Sequence, residues 1–388
     1  MIRCIGLAVL ALSFALSDAI AQSTHYYRSA MRDDEKLFVG RFAVSEKEAL
    51  ELDECYRFVY DAEGKRLLSV AYLERGKLSD GFSTLGAAEI QFRYDAQHRL
   101  LERHTFNASR TRTALVRYLY DKRNQLVEEQ SIGSDGKLRA KVTLKYDDKG
   151  RLIERAERDA KGNLQNNSAD FALQRFTYDE VGNLTSHAYY DAAMKLLRRN
   201  EFVYENGRRV QHAVYGNDGK LLEKQTFKYD ANGRVVETAD YDEYDQLRYT
   251  RRYKYDAQGN LIEQRFFNAR NELSEDSYGV AVTKTEYNAA GARIREVRYD
   301  ALERPIIDER YNEYGRPVER RLINEKGQTT TIIRTEYDRL GNRIKETTLA
   351  VDERNREVLK EERIFDRGRL SQQRFYDKNG KLVREVNR

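Results

Sequence analysis

The phrase "FKYDANGRVVE" at 227–237 returns as "YKYDAQGNLIE" at 253–263, "LKYDDKGRLIE" at 144–154 and "FTYDEVGNLTS" at 176–186. Its tyrosine recurs as Tyr60, Tyr94, Tyr120, Tyr146, Tyr178, Tyr204, Tyr229, Tyr255, Tyr287, Tyr311 and Tyr337, and degenerate copies follow at Phe365-Asp366 and Tyr376-Asp377. Most steps are 24 to 26 residues; those before Tyr94, Tyr178 and Tyr287 stretch to 34, 32 and 32. Such an internal period constrains the fold more than any other feature, because each copy must pack on its neighbours. Every unit divides again at segments such as "DEYDQL", "NARNEL", "GSDGKL" and "GNDGKL". A turn therefore arrives about every 13 residues and leaves eight or nine for each strand, far short of a helical repeat.

Alternation supports strands. Apolar side chains stand at the tyrosine and two residues before it, as in Phe58/Tyr60, Phe92/Tyr94, Phe176/Tyr178, Phe202/Tyr204, Phe227/Tyr229 and Tyr253/Tyr255. The residues between, among them Arg93, Lys145, Thr177, Lys228 and Lys254, are mostly polar. A period of two gives one aromatic face and one wet face. The acid after the tyrosine suits the start of a turn, and the glycine suits a residue with positive φ. His98 and Asn124 occupy that glycine slot and tolerate the same conformation. Glu303, with Pro305 just beyond it, reads as a different local bend. Ala88, Ala172 and Ala281 each stand six residues before a tyrosine that ends a long spacing, where a small residue permits close approach of backbones. Larger blocks therefore start near 86, 170 and 279.

The flanks differ. "MIRCIGLAVLALSFALSDAIAQ" has a basic start, a short apolar run and Ala19-Ile20-Ala21 before Gln22, the pattern of a secretory signal peptide over 1–21. Residues 22–55 form an N-terminal capping segment, in which Ser45 and Glu48 mark a capping box and a helix over 46–53. Residues 56–388 form the β-repeat domain. The expectation is an exported, all-β protein in the periplasm or outside the cell, with no later segment apolar enough to span a bilayer. Cleavage would remove Arg3 and Asp18 together, so the net charge stays at +5 among finely mixed signs. That mixture gives no footprint for nucleic acid. Cys55 would remain as a lone buried thiol.

More than ten copies of Tyr-Asp-x-x-Gly-Arg/Asn-Leu in register resemble the YD-repeat (RHS) family of bacterial envelope and secreted proteins, over about Tyr60 to Val386. The resemblance implies an antiparallel β-meander of tandem repeats that curls into a spiral sheet or shell. In large members that shell encloses a toxin or belongs to an adhesion molecule. This chain shows neither the Asp-Pro-x-Gly junction that closes toxin shells nor a terminal effector domain, so encapsulation is not expected. The half-repeats also resemble MORN-like repeats.

Catalytic chemistry finds no pattern. His25, His98, His104, His187 and His212 belong to no metal or triad motif, although two of the strand histidines could share a face. Glu102, Glu128, Glu154, Glu237 and Glu263 recur eight residues after their tyrosines, which reads as a structural ladder pairing with Arg and Lys on neighbouring strands. No enzyme, cofactor or metal is expected. Tyr190, Tyr241, Tyr244, Tyr249 and Phe267 lie off the main series and are the candidates for an exposed binding surface. The leading expectation is a non-catalytic binding or scaffold surface for a protein or polysaccharide. The alternative is a shell or sequestering component of a toxin or contact-dependent system.

Overall fold

The computed structural model describes residues 22–32, 38–81, 85–339, 341–366 and 369–387. The signal peptide expected over 1–21 lies outside them. The chain divides into two compact units, residues 1–141 and 142–388. Each is an antiparallel meander.

The first unit holds β1 (Ser23–Arg32), β2 (Phe38–Val44), α1 (Glu46–Glu51), β3 (Glu54–Tyr60), β4 (Leu67–Glu74), β5 (Lys77–Leu78), β6 (Glu89–Tyr94), β7 (Leu100–Phe106), β8 (Arg112–Tyr120), β9 (Leu126–Gly133) and the start of β10 (Leu138–Tyr146). The expected capping box is present: the Ser45 hydroxyl accepts from the Glu48 N–H while the Glu48 carboxylate accepts from the Ser45 N–H. Sequence reasoning gave the capping segment only a helix. The structure adds β1, which pairs with β3 on one side and β2 on the other. Alternation is imperfect there because Phe42 takes a positive φ of 59° inside β2, and this interrupts the period. Phe58, Val70 and Tyr72 are almost fully buried and pack with Ile90, Phe92 and Phe38 into the core of this unit. Cys55 is buried beside α1, where burial pushes its thiol up to about 11 and keeps it protonated at neutral pH.

The second unit continues with β11 (Leu152–Asp159), β12 (Leu173–Tyr178), β13 (Leu184–Tyr190), β14 (Leu196–Glu205), β15 (Arg208–Gly216), β16 (Leu221–Tyr229), β17 (Val235–Tyr241), β18 (Leu247–Tyr255), β19 (Leu261–Asn268) and β20 (Val282–Tyr287). It runs on through β21 (Arg293–Tyr299), β22 (Pro305–Tyr311), β23 (Pro317–Ile323), β24 (Thr329–Tyr337), β25 (Arg343–Val351), β26 (Glu357–Asp366), β27 (Arg369–Tyr376) and β28 (Leu382–Asn387). From β11 onward each strand pairs with the next, and its main contacts are with its sequence neighbours. Few side chains here are fully buried; many of those are small, such as Ala156, Ala213 and Ala239.

The turns follow the type I plus left-handed pattern. Asp230 N–H donates to the Arg234 carbonyl, Gly233 N–H donates to the Asp230 carbonyl, and Gly233 has a φ of 83°. His98 and Asn124 sit at φ 65° and 64° in turns bonded the same way. Glu303 corrects the expectation. At φ 56° it makes the same turn, with its N–H on the Asp300 carbonyl, and Pro305 is simply the first residue of β22. A strand's first position needs no ladder N–H, so proline costs nothing there.

The three long spacings have one cause. Ala88, Ala172 and Ala281 are at most 1% exposed, and each is bonded to backbone on both sides: Ala172 N–H donates to the Tyr190 carbonyl, and its own carbonyl accepts from Glu157 N–H. Each preceding loop is tied down by a side-chain acceptor. Asp80, Asn166 and Glu275 take the N–H groups of Ala108, Ala192 and Ala301 at 2.8, 2.7 and 3.0 Å.

Candidate functional site: two faces and their turns

The recurrent phrase builds a lattice that links each corner to the next. The motif tyrosine is half-buried rather than enclosed, and only Tyr311, 9% exposed, counts as buried. A single layer of strands cannot surround it. In seven copies its hydroxyl donates to a carbonyl at the start of the strand after the preceding motif turn, while Tyr311 donates to Glu309. The pairs are Tyr94 to Leu67, Tyr120 to Leu100, Tyr178 to Leu152, Tyr229 to Arg209, Tyr255 to Val235, Tyr287 to Leu261 and Tyr337 to Pro317, all at 2.7 to 3.1 Å. The arginine after the turn glycine does three things. Arg234 bonds Asp230 of its own turn at 2.7 Å, lies 4.8 Å above the ring of Tyr255, and donates to the Asp256 carbonyl at 3.2 Å. Arg151 repeats this toward Asp147, Tyr178 and Asp179. Where asparagine replaces arginine, as at Asn183 and Asn260, only the bond to the turn aspartate remains, at 2.8 Å. The donors that converge on these carboxylates, led for Asp61 by Arg66, hold Asp61 down to about 2. Tyrosine, acid, glycine and arginine are thus all consumed by structure.

The wet face carries the expected glutamate ladder. Glu237 lies between Lys228 on β16 at 2.7 Å and Arg252 on β18 at 2.8 Å, both its direct cross-strand partners. Glu102 sits between Arg93 and Arg117, and Glu319 receives Arg334. Each carboxylate is about four-fifths buried while its cations reach solvent, so its charge is already neutralised. No pair of these acids is left free to act on a substrate.

Register places Phe176, His187, Asn200, Phe202, His212, Gln225, Phe227, Asp240, Tyr249 and Arg251 on the opposite face. His187 stacks 4.3 Å from Phe176 and bonds Gln174 at 2.9 Å; burial, with Arg198 nearby, lowers its pKa to about 4. His212 stacks on Phe202 at 4.9 Å and bonds Asn200 at 3.0 Å. These two are the histidines that share a face. His104 bonds Glu102, His25 packs on Tyr60 and His98 occupies its turn. Among the described residues no three His, Cys, Asp or Glu side chains converge on a metal position.

The five candidate surface aromatics do not share one place. Tyr190, Tyr241 and Phe267 lie on the charged face, under Arg175, Lys224 and Arg252 at 5.3, 4.3 and 4.4 Å. Tyr249 lies on the aromatic face against Phe266. Tyr244 stands 75% exposed at a turn tip. Sequence reasoning missed Tyr278 and Leu302, exposed to 87% and 73% at the same turn position. The available signal was their place two residues after the turn acid, where the backbone N–H bonds that acid and the side chain points outward.

No family profile matches the sequence, and no curated protein matches it. Several solved structures align with it at low identity. A TcdB2–TccC3–TEV crystal structure aligns with 94% of this chain and 25% of its own length, at 14% identity and a TM-score of 0.32. The Photorhabdus luminescens Tc holotoxin pore aligns with 92% of this chain and 24% of its own, at 14% identity and a TM-score of 0.22. A porin-like protein from Bacteroides uniformis covers 60% of this chain, at 12% identity and a TM-score of 0.24. The chain spans about a quarter of the length of the first two.

Proposed function

We propose that the chain is a non-catalytic, exported β-scaffold that walls off or sequesters another polypeptide, as a component of a toxin or contact-dependent system. The observation that carries this reading is the unlike chemistry of the two faces in the second unit. The glutamate ladder is satisfied by its own cations and suits contact with water. The other face presents rings, amides and histidines that a single layer leaves only half-buried. On that face Asp240 accepts from Gln225 at 3.0 Å through Oδ1 and lies 3.7 Å from the Arg251 guanidinium through Oδ2. Half-covered aromatics are what a surface awaiting a covering chain would present. The resemblance to YD-repeat proteins supports the same reading, and the N-terminal 1–21 pattern supports export. No helix among the described residues is long and apolar enough to cross a membrane.

A photo-crosslinking amino acid placed at Phe202 or Phe227, against Val203 or Lys228 on the other face, tests this in the producing cell. One dominant polypeptide adduct from the aromatic face alone is the expected result. The second reading, an outward binding surface, is favoured by the exposed tips of Tyr244, Tyr278 and Leu302. Adducts from those tips and none from Phe202 or Phe227 would establish it instead.

A further inference from the structure

The first unit contains a cavity of about 480 Å³ that the repeat does not explain. It lies where β2 ends and α1 begins, and its lining includes Thr24, Tyr26, Val44, Glu46, Arg57 and Val59. Register sets Tyr26 opposite both Val44 and Arg57, and Thr24 opposite Val59, so these side chains share one face.

Two groups of opposite charge enter this space without meeting. The Arg57 Nε is buried and has no hydrogen-bond partner, and its guanidinium makes no ion pair among the described residues. Many arginines elsewhere are tied to carboxylates across strands, as Arg252, Arg295 and Arg334 are. The buried Nε of Arg57, like that of Arg103, therefore still has room for an acceptor. Glu46 is held on the cavity wall by the Tyr26 hydroxyl, which donates to its Oε1 at 3.1 Å. Glu46 does not approach Arg57 within salt-bridge distance, so a gap separates the cation from the anion.

We propose that this cavity binds a free α-amino acid with a small apolar side chain, its carboxylate on the Arg57 fork and its ammonium on Glu46. A guanidinium matches a planar carboxylate with two parallel hydrogen bonds. A dianionic phosphate would also satisfy Arg57 but would be set against Glu46. A zwitterion offers a carboxylate to the half-buried Arg57 and an ammonium to the exposed Glu46 at the mouth. Val44 and Val59, with Ala43 beside them, supply an apolar wall for the side chain. The volume falls within the range of small-molecule sites, about 300–1,000 Å³. A peptide has its α-ammonium and α-carboxylate at opposite ends, so the paired charges select the free amino acid.

The test is calorimetric titration of the full chain with L-valine, N-acetyl-L-valine, L-valine amide and sodium phosphate. Valine should bind saturably at concentrations up to about 10 mM. The acetylated and amidated forms each lack one charge and should bind at least about tenfold more weakly, a loss of about 1.4 kcal/mol or more. Arg57→Gln and Glu46→Gln should each abolish valine binding while leaving the melting temperature of the second unit unchanged. Absence of valine binding, equal binding of either blocked form, tighter binding of phosphate, or retained binding in the variants would each overturn the assignment. If Arg57→Gln does not fold, Glu46→Gln and the two blocked ligands decide it alone.

Discussion

Tyr255→Phe isolates the corner lattice. The substitution removes one atom, the hydroxyl that donates to the Val235 carbonyl at 2.8 Å, and leaves the ring beneath Arg234 at 4.8 Å. A net intramolecular hydrogen bond is worth about 1 kcal/mol, so that is the expected loss. Tyr255→Leu also removes the cation–ring contact, adding about 0.5–1 kcal/mol at a partly exposed site. Strands in the second unit contact mainly their neighbours, so the cost should be felt locally. Hydrogen exchange followed by mass spectrometry should show amides of β16 to β19 exchanging about fivefold faster in Tyr255→Phe, and about tenfold or more in Tyr255→Leu. Strands β12 to β14 should be unchanged. Wild-type exchange in Tyr255→Phe, or a uniform acceleration across the unit, would refute the idea that the hydroxyl joins one corner to the next.

Other perturbations probe the remaining parts of the repeat. His98→Gly should raise the melting temperature, because it relieves a left-handed residue at φ 65°, while Gly315→Ala, at φ 73° with nothing within 4 Å of the added carbon, should cost about 1–2 kcal/mol through backbone conformation alone; equal effects in a thermal melt would show the turns to be conformationally indifferent. Ala281→Val forces two methyl groups between backbones bonded on both sides and should cost about 1–3 kcal/mol by denaturant titration. His187 is neutral in the folded protein down to about 4, whereas the unfolded chain binds its proton from about pH 6.5. The folded state therefore binds fewer protons between those values, and stability should fall as pH falls through that window. His187→Gln should flatten this part of the melting-temperature profile, and an NMR titration of the imidazole should show no protonation above about pH 5.

Much of the fold was written in the sequence because its determinants are local. Alternation around Phe227 and Tyr229, the acid that opens each turn and the left-handed slot all act within a few residues. Even the exceptions at His98 and Asn124 were readable for that reason. The glutamate ladder was legible too, since the register of successive 13-residue strands sets Glu237 beside Lys228 and Arg252. What escaped notice depends on distance. The acceptors in the seven corner pairs lie 20 or more residues before their tyrosines, and nothing around Tyr255 names Val235 as its partner. The same limit hid the pairing of β1 with β3. It also left the cavity at Arg57 unseen, because that site is defined by a missing partner. Glu303 misled in the opposite way: its residue type argued against a turn that the surrounding hydrogen bonds nevertheless impose. Of the surface aromatics, residue type could mark Tyr190 and Phe267 as unusual but could not show that cations already cover them.

The tyrosine bonds also have a direction. In each of the seven corner pairs the donor belongs to the later repeat and the acceptor to the earlier one, as with Tyr178 and Leu152 or Tyr337 and Pro317, whereas Tyr311 donates to Glu309 on its own strand. A chain that emerges N-terminus first would therefore offer each new hydroxyl an acceptor that is already in place. Folding then advances like a ratchet, one hairpin pair at a time, with each closed corner opposing reversal of the one before it.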